Sequence, residues 1–285
     1  MSYIPVYRWW KAHEIERIWP ETILKNYEKY CVSACSRFID MNFKKDHAWV
    51  LSTEGKTVAA LLLHTQSALF PVLAGMTDIF IPPFLNRFLE NAEINTLQGV
   101  EQDVILLEKI LETTGLFVRE ARDFNLMSIE DPSQLRETAQ VEGLSLRVPS
   151  FSDMDELTPL QEAYQKEEVL CKPEDFNRRL CRLELSKIIS GGRALIAEMN
   201  GKIIGKINTN AIAYKHCQIG GVYVAPEYRS LGVASRLTSE FTRYLLSEKS
   251  GASLFVKKSN AAAQRVYEKC GFNKISGYRI SYMYS

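Results

Sequence analysis

The stretch from Gly220 to Ala234 combines the features of a phosphate-binding junction. It starts with a short, β-branched apolar run that favours a strand, and Pro226 ends that strand because proline has no N–H for a sheet ladder. From Val233 onward apolar residues fall four apart, which predicts a helix. A helix start has unpaired N–H groups that suit a phosphate, and Gly232 lets the backbone approach one. The junction predicts an anion-binding loop, although a structural turn would use the same residue types.

Two common nucleotide-binding motifs are missing from this junction. No Gly-Lys-Ser/Thr follows it, which excludes a Walker loop, and it lacks the G-x-G-x-x-G spacing of dinucleotide folds. It carries R-x-x-G-x-A directly after Val-x-Pro-x-x, and here the chain resembles the GNAT superfamily of acyl-CoA-dependent N-acyltransferases. In that family the loop wraps the pyrophosphate of coenzyme A through main-chain amides. The resemblance implies this role for Arg229, Ser230, Leu231, Gly232, Val233, Ala234 and Ser235; for the Arg229 side chain, phosphate contact and loop capping both stay open.

A second motif of the same family follows later in the chain. Leu254-Phe255-Val256 predicts a strand, and residues 260–272 are similar to the family's Asn…Tyr-Glu-Lys-x-Gly-Phe helix. Asn260 suits an N-cap and Gly271 a C-terminal stop. With both motifs in order, the resemblance implies an α/β (α+β) GNAT acyl-CoA N-acyltransferase fold. This fold has a mixed, mostly antiparallel sheet flanked by helices, here preceded by a second α/β domain.

The resemblance also implies the parts of an acyl-transfer site. The main chain of Val222, Tyr223 and Val224 would pair with the pantetheine arm, and the N–H of Val224 would polarise the thioester carbonyl. Asn260 would hydrogen-bond the pantetheine. The Tyr267 phenol would protonate the departing thiolate, with half-buried packing as the alternative role.

The general base is not evident from the sequence. Many GNAT proteins carry a glutamate on the third or fourth strand, but residues 199–226 contain no Asp or Glu. His216 would lie roughly 23 Å from Tyr223 along an extended strand, which is too far to act directly. Glu167 and Glu168 belong to a segment that walls the acceptor site in the family. We expect them to bind the amine or take its proton through water, and a solvated helix end is the alternative.

Length and charge predict two domains. The chain has 285 residues, enough for two domains of roughly 150 residues each, and a polar stretch at residues 131–142 suits a linker. We place an N-terminal α/β domain at 1–143 and the catalytic domain at 144–285. The first half has 14 Lys and Arg against 20 Asp and Glu, and the second has 21 against 14. A basic second half suits a polyphosphorylated cofactor.

The first half is interpreted as a degenerate, GNAT-like unit, similar to the decayed N-terminal copy of two-domain bacterial GNAT proteins. Its pattern predicts helices over 13–42 with a break at Trp19-Pro20. A turn at Gly99 runs straight into Glu101 and Asp103, whose charges favour the helix dipole but would repel a pyrophosphate. Other predicted features are a hairpin turn at Glu54-Gly55, a helix start at Pro82-Pro83 and a strand region over Phe117 to Ile129.

Composition excludes several other classes of protein. The six cysteines form no C-x-x-C pair and no histidine lies at zinc-ligand spacing, so we expect no metal site and free thiols in a reducing cytoplasm. No apolar run approaches the roughly 18 residues needed to span a membrane, and the first ten residues lack the features of a signal peptide. A net charge of +1 argues against general nucleic-acid binding.

The sequence predicts a cytoplasmic enzyme that transfers an acetyl group from acetyl-CoA to a primary amine, of a small molecule or a peptide, by direct attack in a ternary complex. A longer acyl donor stays open because the Gly-Val-Tyr-Val-x-Pro strand also resembles amino-acid N-acyltransferases. Cys217 and Cys270 have no histidine placed beside them, so an acyl-cysteine route is disfavoured. The rivals are a sensor that binds acyl-CoA without turnover and an interaction protein that binds none.

Overall fold

The computed structural model describes residues 7–53, 58–170 and 172–284. Within these ranges one sheet of twelve strands runs in the order β1-β2-β3-β4-β5-β12-β6-β11-β10-β9-β8-β7. The strands are β1 (Tyr7–Ala12), β2 (His47–Thr53), β3 (Val58–Thr65), β4 (Ala68–Val72), β5 (Thr96–Val100), β6 (Phe117–Ile129), β7 (Leu144–Arg147), β8 (Ala194–Met199), β9 (Lys202–Ile212), β10 (His216–Val224), β11 (Gly251–Lys257) and β12 (Asn273–Tyr284).

Helices cover both faces of this sheet. They are α1 (Ile18–Asn26), α2 (Val32–Ile39), α3 (Pro83–Asn91), α4 (Glu101–Glu112), α5 (Met154–Tyr164), α6 (Arg178–Ser190), α7 (Val233–Leu246) and α8 (Ala261–Cys270). In β2, Val50 packs with α1 and α2 while Leu51 packs with α3 and α4. Successive side chains of a strand point to opposite faces, so the two helix pairs lie on opposite sides. In the second half α5 and α6 likewise oppose α7 and α8.

The two halves repeat one order of elements. The first half runs β1-α1-α2-β2-β3-β4-α3-β5-α4-β6 and the second runs β7-α5-α6-β8-β9-β10-α7-β11-α8-β12. Their final strands are exchanged: β12 pairs with β5 of the first half, and β6 pairs with β11 of the second. Strands β6 and β12 then pair with each other along their length, for example Arg122 with Ile280. Each half therefore completes the sheet of the other.

Most of the predicted elements of the second half are confirmed. The sequence pattern of this half also predicts strands over 194–199, 202–212 and 216–224 with a hairpin turn at Asn200-Gly201. The strands have these bounds, and Asn200 and Gly201 have the positive φ of a tight hairpin turn. Asn260 caps α8, its side chain accepting from the Ala263 N–H at 3.0 Å, and Gly271 ends the helix with φ 104°. The sequence predicts a closing strand over 278–284, but β12 starts earlier, at Asn273, because its first residues pair with β6.

The first half shows two corrections. The predicted helix break at Trp19-Pro20 is wrong, since Pro20 lies in the first turn of α1, where its missing N–H leaves no helical bond unmade. The predicted turn at Gly99 is also wrong, because Gly99 lies within β5, packed so closely on the Pro71 carbonyl that a Cβ would come within 3.1 Å of it. The strand over 117–129 and the helix start at Pro83 are confirmed. The hairpin turn at Glu54-Gly55 falls outside the described residues.

Candidate functional site

A cleft opens where two parallel strands of the second half part. Strands β10 and β11 pair only from His216 opposite Gly251 to Ile219 opposite Leu254. Beyond Ile219 a β-bulge between Gly220 and Tyr223 shifts the register of β10 on β9. A bulge bends its strand, and a cavity of about 530 Å³ lies between the end of β10, the start of α7 and α8.

On the bulged strand, the Val224 amide faces this cleft. The Ala225 N–H donates to the Ile204 carbonyl on β9 at 2.8 Å. N–H groups alternate in direction along a strand, so the Val224 N–H points away from β9, towards the side from which β11 has parted. Val222, Tyr223 and Val224 all line the cavity. Both the strand position and the amide direction fit the pantetheine-pairing role implied by the sequence.

The loop after β10 has two left-handed residues just before the start of α7. Ser230 has φ 66°, and Gly232, the N-cap of α7, has φ 87°, a left-handed conformation that suits glycine. Consecutive N–H groups in such a loop can converge on an anion, and the first-turn amides of a 14-residue helix add the positive end of its dipole. The cavity is lined here by Arg229, Ser230, Gly232, Val233, Ala234 and Ser235. Leu231 is half exposed and does not line it.

Arg229 holds the loop in place. Its Nε donates to the Val224 carbonyl at 3.1 Å, and its guanidinium pairs with Glu167 at 2.9 Å. The guanidinium also lies over the Tyr223 ring, 5.3 Å from the centroid. These contacts favour the loop-capping role over direct phosphate contact, although a cationic group at the rim of the cavity still favours an anion.

Tyr267 and Asn260 stand on α8, across the cleft from β10. Tyr267 is 7% exposed and lines both the main cavity and a second cavity of about 210 Å³ beside it. Burial raises the pKa of its phenol well above the ordinary value, so the hydroxyl keeps its proton at neutral pH. The Nδ2 of Asn260 is directed towards Glu168 at 3.4 Å. Both residues face the place where the strands part.

Glu167 and Glu168 point to different parts of the cleft. The Tyr223 hydroxyl and Arg229 donate to Glu167. Although burial opposes it, these hydrogen bonds hold the pKa of Glu167 below its usual range. Glu168 pairs with Lys257 Nζ at 2.9 Å and lines both cavities. Of the two carboxylates, Glu168 therefore borders the space an acceptor would occupy.

The second cavity takes one wall from the exchanged strands. Arg122 and Phe124 of β6, with Ile280 and Tyr282 of β12, line it opposite Tyr164 of α5. Arg122 donates to the carbonyls of residues 169 and 170 and so holds the segment after α5 against β6. Sequence reasoning missed these residues because no local pattern shows that β6 crosses into the second half. It also missed Lys206, a lysine inside the otherwise apolar start of β9.

The corresponding place in the first half is filled by the chain itself. Strands β4 and β5 pair at Ala68 opposite Thr96 and at Leu69 opposite Leu97. Just beyond, the buried Leu73 donates its N–H to the Asp103 carboxylate at 2.8 Å. Burial raises the pKa of Asp103 to about 6. The Leu73 N–H, at the place where an amide would face a cofactor, therefore already donates to a side-chain carboxylate.

His216, Lys258 and two cysteines have structural partners. His216 lies at the far end of β10 between Glu28 and Glu130, away from the cleft, as the strand distance predicted. Lys258 pairs with Glu101 of the first half at 2.6 Å. The Sγ atoms of Cys31 and Cys35 lie 3.7 Å apart and both are buried, so the two thiols face each other. Among the described residues no helix is long and apolar enough to cross a bilayer.

Comparison with known proteins defines the class. Residues 157–272 match the model of the Acetyltransferase (GNAT) family, and this stretch holds α7, α8 and the cleft between β10 and β11. Residues 157–272 are therefore similar to a GNAT-family domain, and acyl transfer from acyl-CoA is the general chemistry of that family. A search of curated protein sequences found no match to the chain.

Solved structures resemble the whole chain. A GCN5-related N-acetyltransferase from Sphaerobacter thermophilus has a TM-score of 0.58 at 17% identity, over 93% of this chain and 84% of that one. A tandem GNAT protein from the clavulanic acid biosynthesis pathway gives 0.57 at 14% identity, over 98% of both chains. A GCN5-related N-acetyltransferase from Kribbella flavida gives 0.55 at 15% identity, over 88% and 95%. At these identities the likeness is one of fold.

Proposed function

We propose that this protein is an N-acetyltransferase that moves the acetyl group of acetyl-CoA to a primary amine by direct attack in a ternary complex. The observation that carries the proposal is the parting of β10 and β11, which leaves the Val224 amide facing a cavity that ends at the N-terminus of α7. An extended thioester arm with a pyrophosphate at one end fits this shape and these donors. Acetyl-CoA would supply the activated acetyl group.

Each step of the proposed reaction would then have a residue to perform it. The amides of 230–234 and the start of α7 would bind pyrophosphate, and the Val224 N–H would stabilise negative charge on the thioester oxygen. Glu168, at the junction of the two cavities, would orient the acceptor ammonium and take its proton through water. Tyr267, protonated at neutral pH, would give its proton to the leaving thiolate.

We propose further that the chain contains two units, 1–143 and 144–285, and that only the second binds the cofactor. The filled site at Leu73 and Asp103 supports the absence of a cofactor site from the first unit. The exchanged strand β6 gives that unit a different use, since Arg122 and Phe124 contribute to the cavity where the acceptor would lie. The proposed acceptor site is thus built from both units.

One contact favours a second candidate, an acyl-CoA sensor without turnover. Glu168 is already paired with Lys257 at 2.9 Å, which competes with its use as a base. An acetylation assay with acetyl-CoA and a panel of primary amines separates the two. The enzyme releases free thiol only when a suitable amine is present, whereas a sensor binds acetyl-CoA and releases none with any amine. Repeating the assay with butyryl-CoA and hexanoyl-CoA tests the preference for acetyl.

A further inference from the structure

A buried lysine lies beneath the bulge that opens the cleft. Lys206 on β9 is 4% exposed. Its Nζ donates to the Gly221 carbonyl at 2.9 Å and to Asn208 Oδ1 at 3.3 Å, and it lies 4.6 Å from the centroid of the Tyr164 ring. Burying an amine without a carboxylate partner costs free energy, and burial lowers the pKa of Lys206 to about 7. An apolar residue would pack there without that cost.

The bulge peptide packs closely against β9. The Gly221 carbonyl accepts from Lys206 Nζ at 2.9 Å. Gly221 has φ 61°, and a Cβ at this residue would lie 1.8 Å from Asn208 Oδ1. A neighbouring Cβ at Gly220 would lie 2.0 Å from the Asn210 side-chain nitrogen. The polar side chains of β9 thus fill the space that the two glycines leave.

The hydrogen bond between Lys206 and Gly221 lies where β10 separates from β11. Strand β10 pairs with β11 up to Ile219, and the residue after Gly221, Val222, already lines both cavities. We propose that Lys206 is a positioning residue: by binding the Gly221 carbonyl it fixes the bulge that turns the Val222–Val224 segment towards the thioester arm. The inference rests on the proposed function, because it concerns the same cofactor site.

The protonation state of Lys206 should change the strength of its hydrogen bond to the Gly221 carbonyl. The groups that act on it are Glu184 and Cys181 of α6, which favour the ammonium, the Tyr164 ring of α5, and the neutral Asn208. A hydrogen bond from an ammonium is stronger than one from a neutral amine. As the pH rises through about 7, the bond to Gly221 weakens. Affinity for acetyl-CoA should therefore fall with rising pH more steeply when Lys206 is present than when it is replaced.

The test is calorimetric titration of acetyl-CoA at pH 6 and pH 8.5. Lys206→Met removes the donor, and Lys206→Gln keeps a neutral donor. The matched control is Lys202→Met, at an exposed lysine on the same strand. At pH 6 we expect about tenfold weaker binding for Lys206→Met, the loss of about one charged hydrogen bond. An intermediate value is expected for Lys206→Gln, and wild-type affinity for Lys202→Met. Both Lys206 variants should lose the extra pH dependence that wild type and Lys202→Met share.

The outcomes separate this inference from the proposed function. Wild-type affinity and wild-type pH dependence in the Lys206 variants would overturn the positioning role and leave the acetyl-CoA site standing. If Lys206→Met does not fold, the pH dependence of Lys206→Gln decides between the same two results. No binding to wild type would overturn the proposed function, and the inference with it.

Discussion

The Tyr223 hydroxyl donates a 2.6 Å hydrogen bond to Glu167, and this contact joins the segment after α5 to the strand that lines the cleft. The other carboxylate oxygen of Glu167 accepts from Arg229 at 2.9 Å, so one side chain holds both the strand and the loop that follows it. Glu168, the next residue, lines both cavities, whereas Glu167 lines the larger one. Under the proposed function these adjacent carboxylates would have separate tasks, Glu167 in shaping the site and Glu168 at the acceptor.

Replacing Glu167 should change the affinity for acetyl-CoA, whereas replacing Glu168 should change the turnover rate. Glu167→Gln should weaken acetyl-CoA binding only by about threefold, because the Glu167–Arg229 pair is largely exposed and such pairs contribute roughly 0–1 kcal/mol. Glu168→Gln should lower turnover at least about tenfold by removing the proton acceptor. Calorimetry measures the affinity and steady-state kinetics the turnover. The control is Glu162→Gln, at a glutamate on α5 that pairs with Lys166. A turnover loss in Glu167→Gln without any change in affinity would reverse the two roles.

Tyr267→Phe should slow turnover at least about tenfold while changing acetyl-CoA affinity by less than about twofold. The ring and its packing against Phe272 remain, so only the proton donor is lost. Tyr244→Phe, at a partly exposed tyrosine on α7, is the matched control and should leave both constants unchanged. Unchanged turnover in Tyr267→Phe would remove the phenol from the mechanism and leave it as a packing residue.

A feature of the site can be predicted from the sequence when a few neighbouring residues encode it, and not when it depends on a contact between distant strands. The junction around Gly232 and the cap at Asn260 were readable because a turn, a cap and a helix start are encoded within a few residues. Lys206 was not recognised because its role depends on a carbonyl of the neighbouring strand. The exchange of β6 and β12 could not be predicted either, because the apolar pattern of each strand would be the same whichever half it paired with.

Strand exchange predicts that the halves cannot fold separately. Residues 144–285 alone would leave one edge of β11 unpaired, and β12 would lose both neighbours, since β5 and β6 belong to the first half. Exposed edges of this kind promote aggregation. Expressed alone, residues 144–285 should be insoluble, and co-expression with residues 1–143 should recover a soluble complex with the thermal stability of a folded protein. A soluble, cooperatively folded fragment 144–285 would contradict the exchanged pairing.

The ion cluster at His216 predicts a pH-dependent stability. Although burial opposes it, Glu130 and Glu28 raise the pKa of His216 to about 9. The unfolded value is near 6.5, so this stabilisation is complete below about pH 6.5 and is lost as the pH rises through about 9. Between pH 6.5 and 9.5 the melting temperature of wild type should fall by about 5 °C more than that of His216→Gln. Parallel melting curves across this range would show that the imidazole is not ionised there.

The central claim, that the start of α7 holds the pyrophosphate of the cofactor, is tested most directly by two variants of one residue. Ala234 lines the cavity in the first turn of α7. Ala234→Glu places a negative charge beside the anion, and Ala234→Gln adds the same bulk without the charge. Calorimetric titration at low salt should show acetyl-CoA binding to wild type, and at least about tenfold weaker binding to Ala234→Glu than to Ala234→Gln. Equal affinities of the two variants, or no binding to wild type, would contradict the claim.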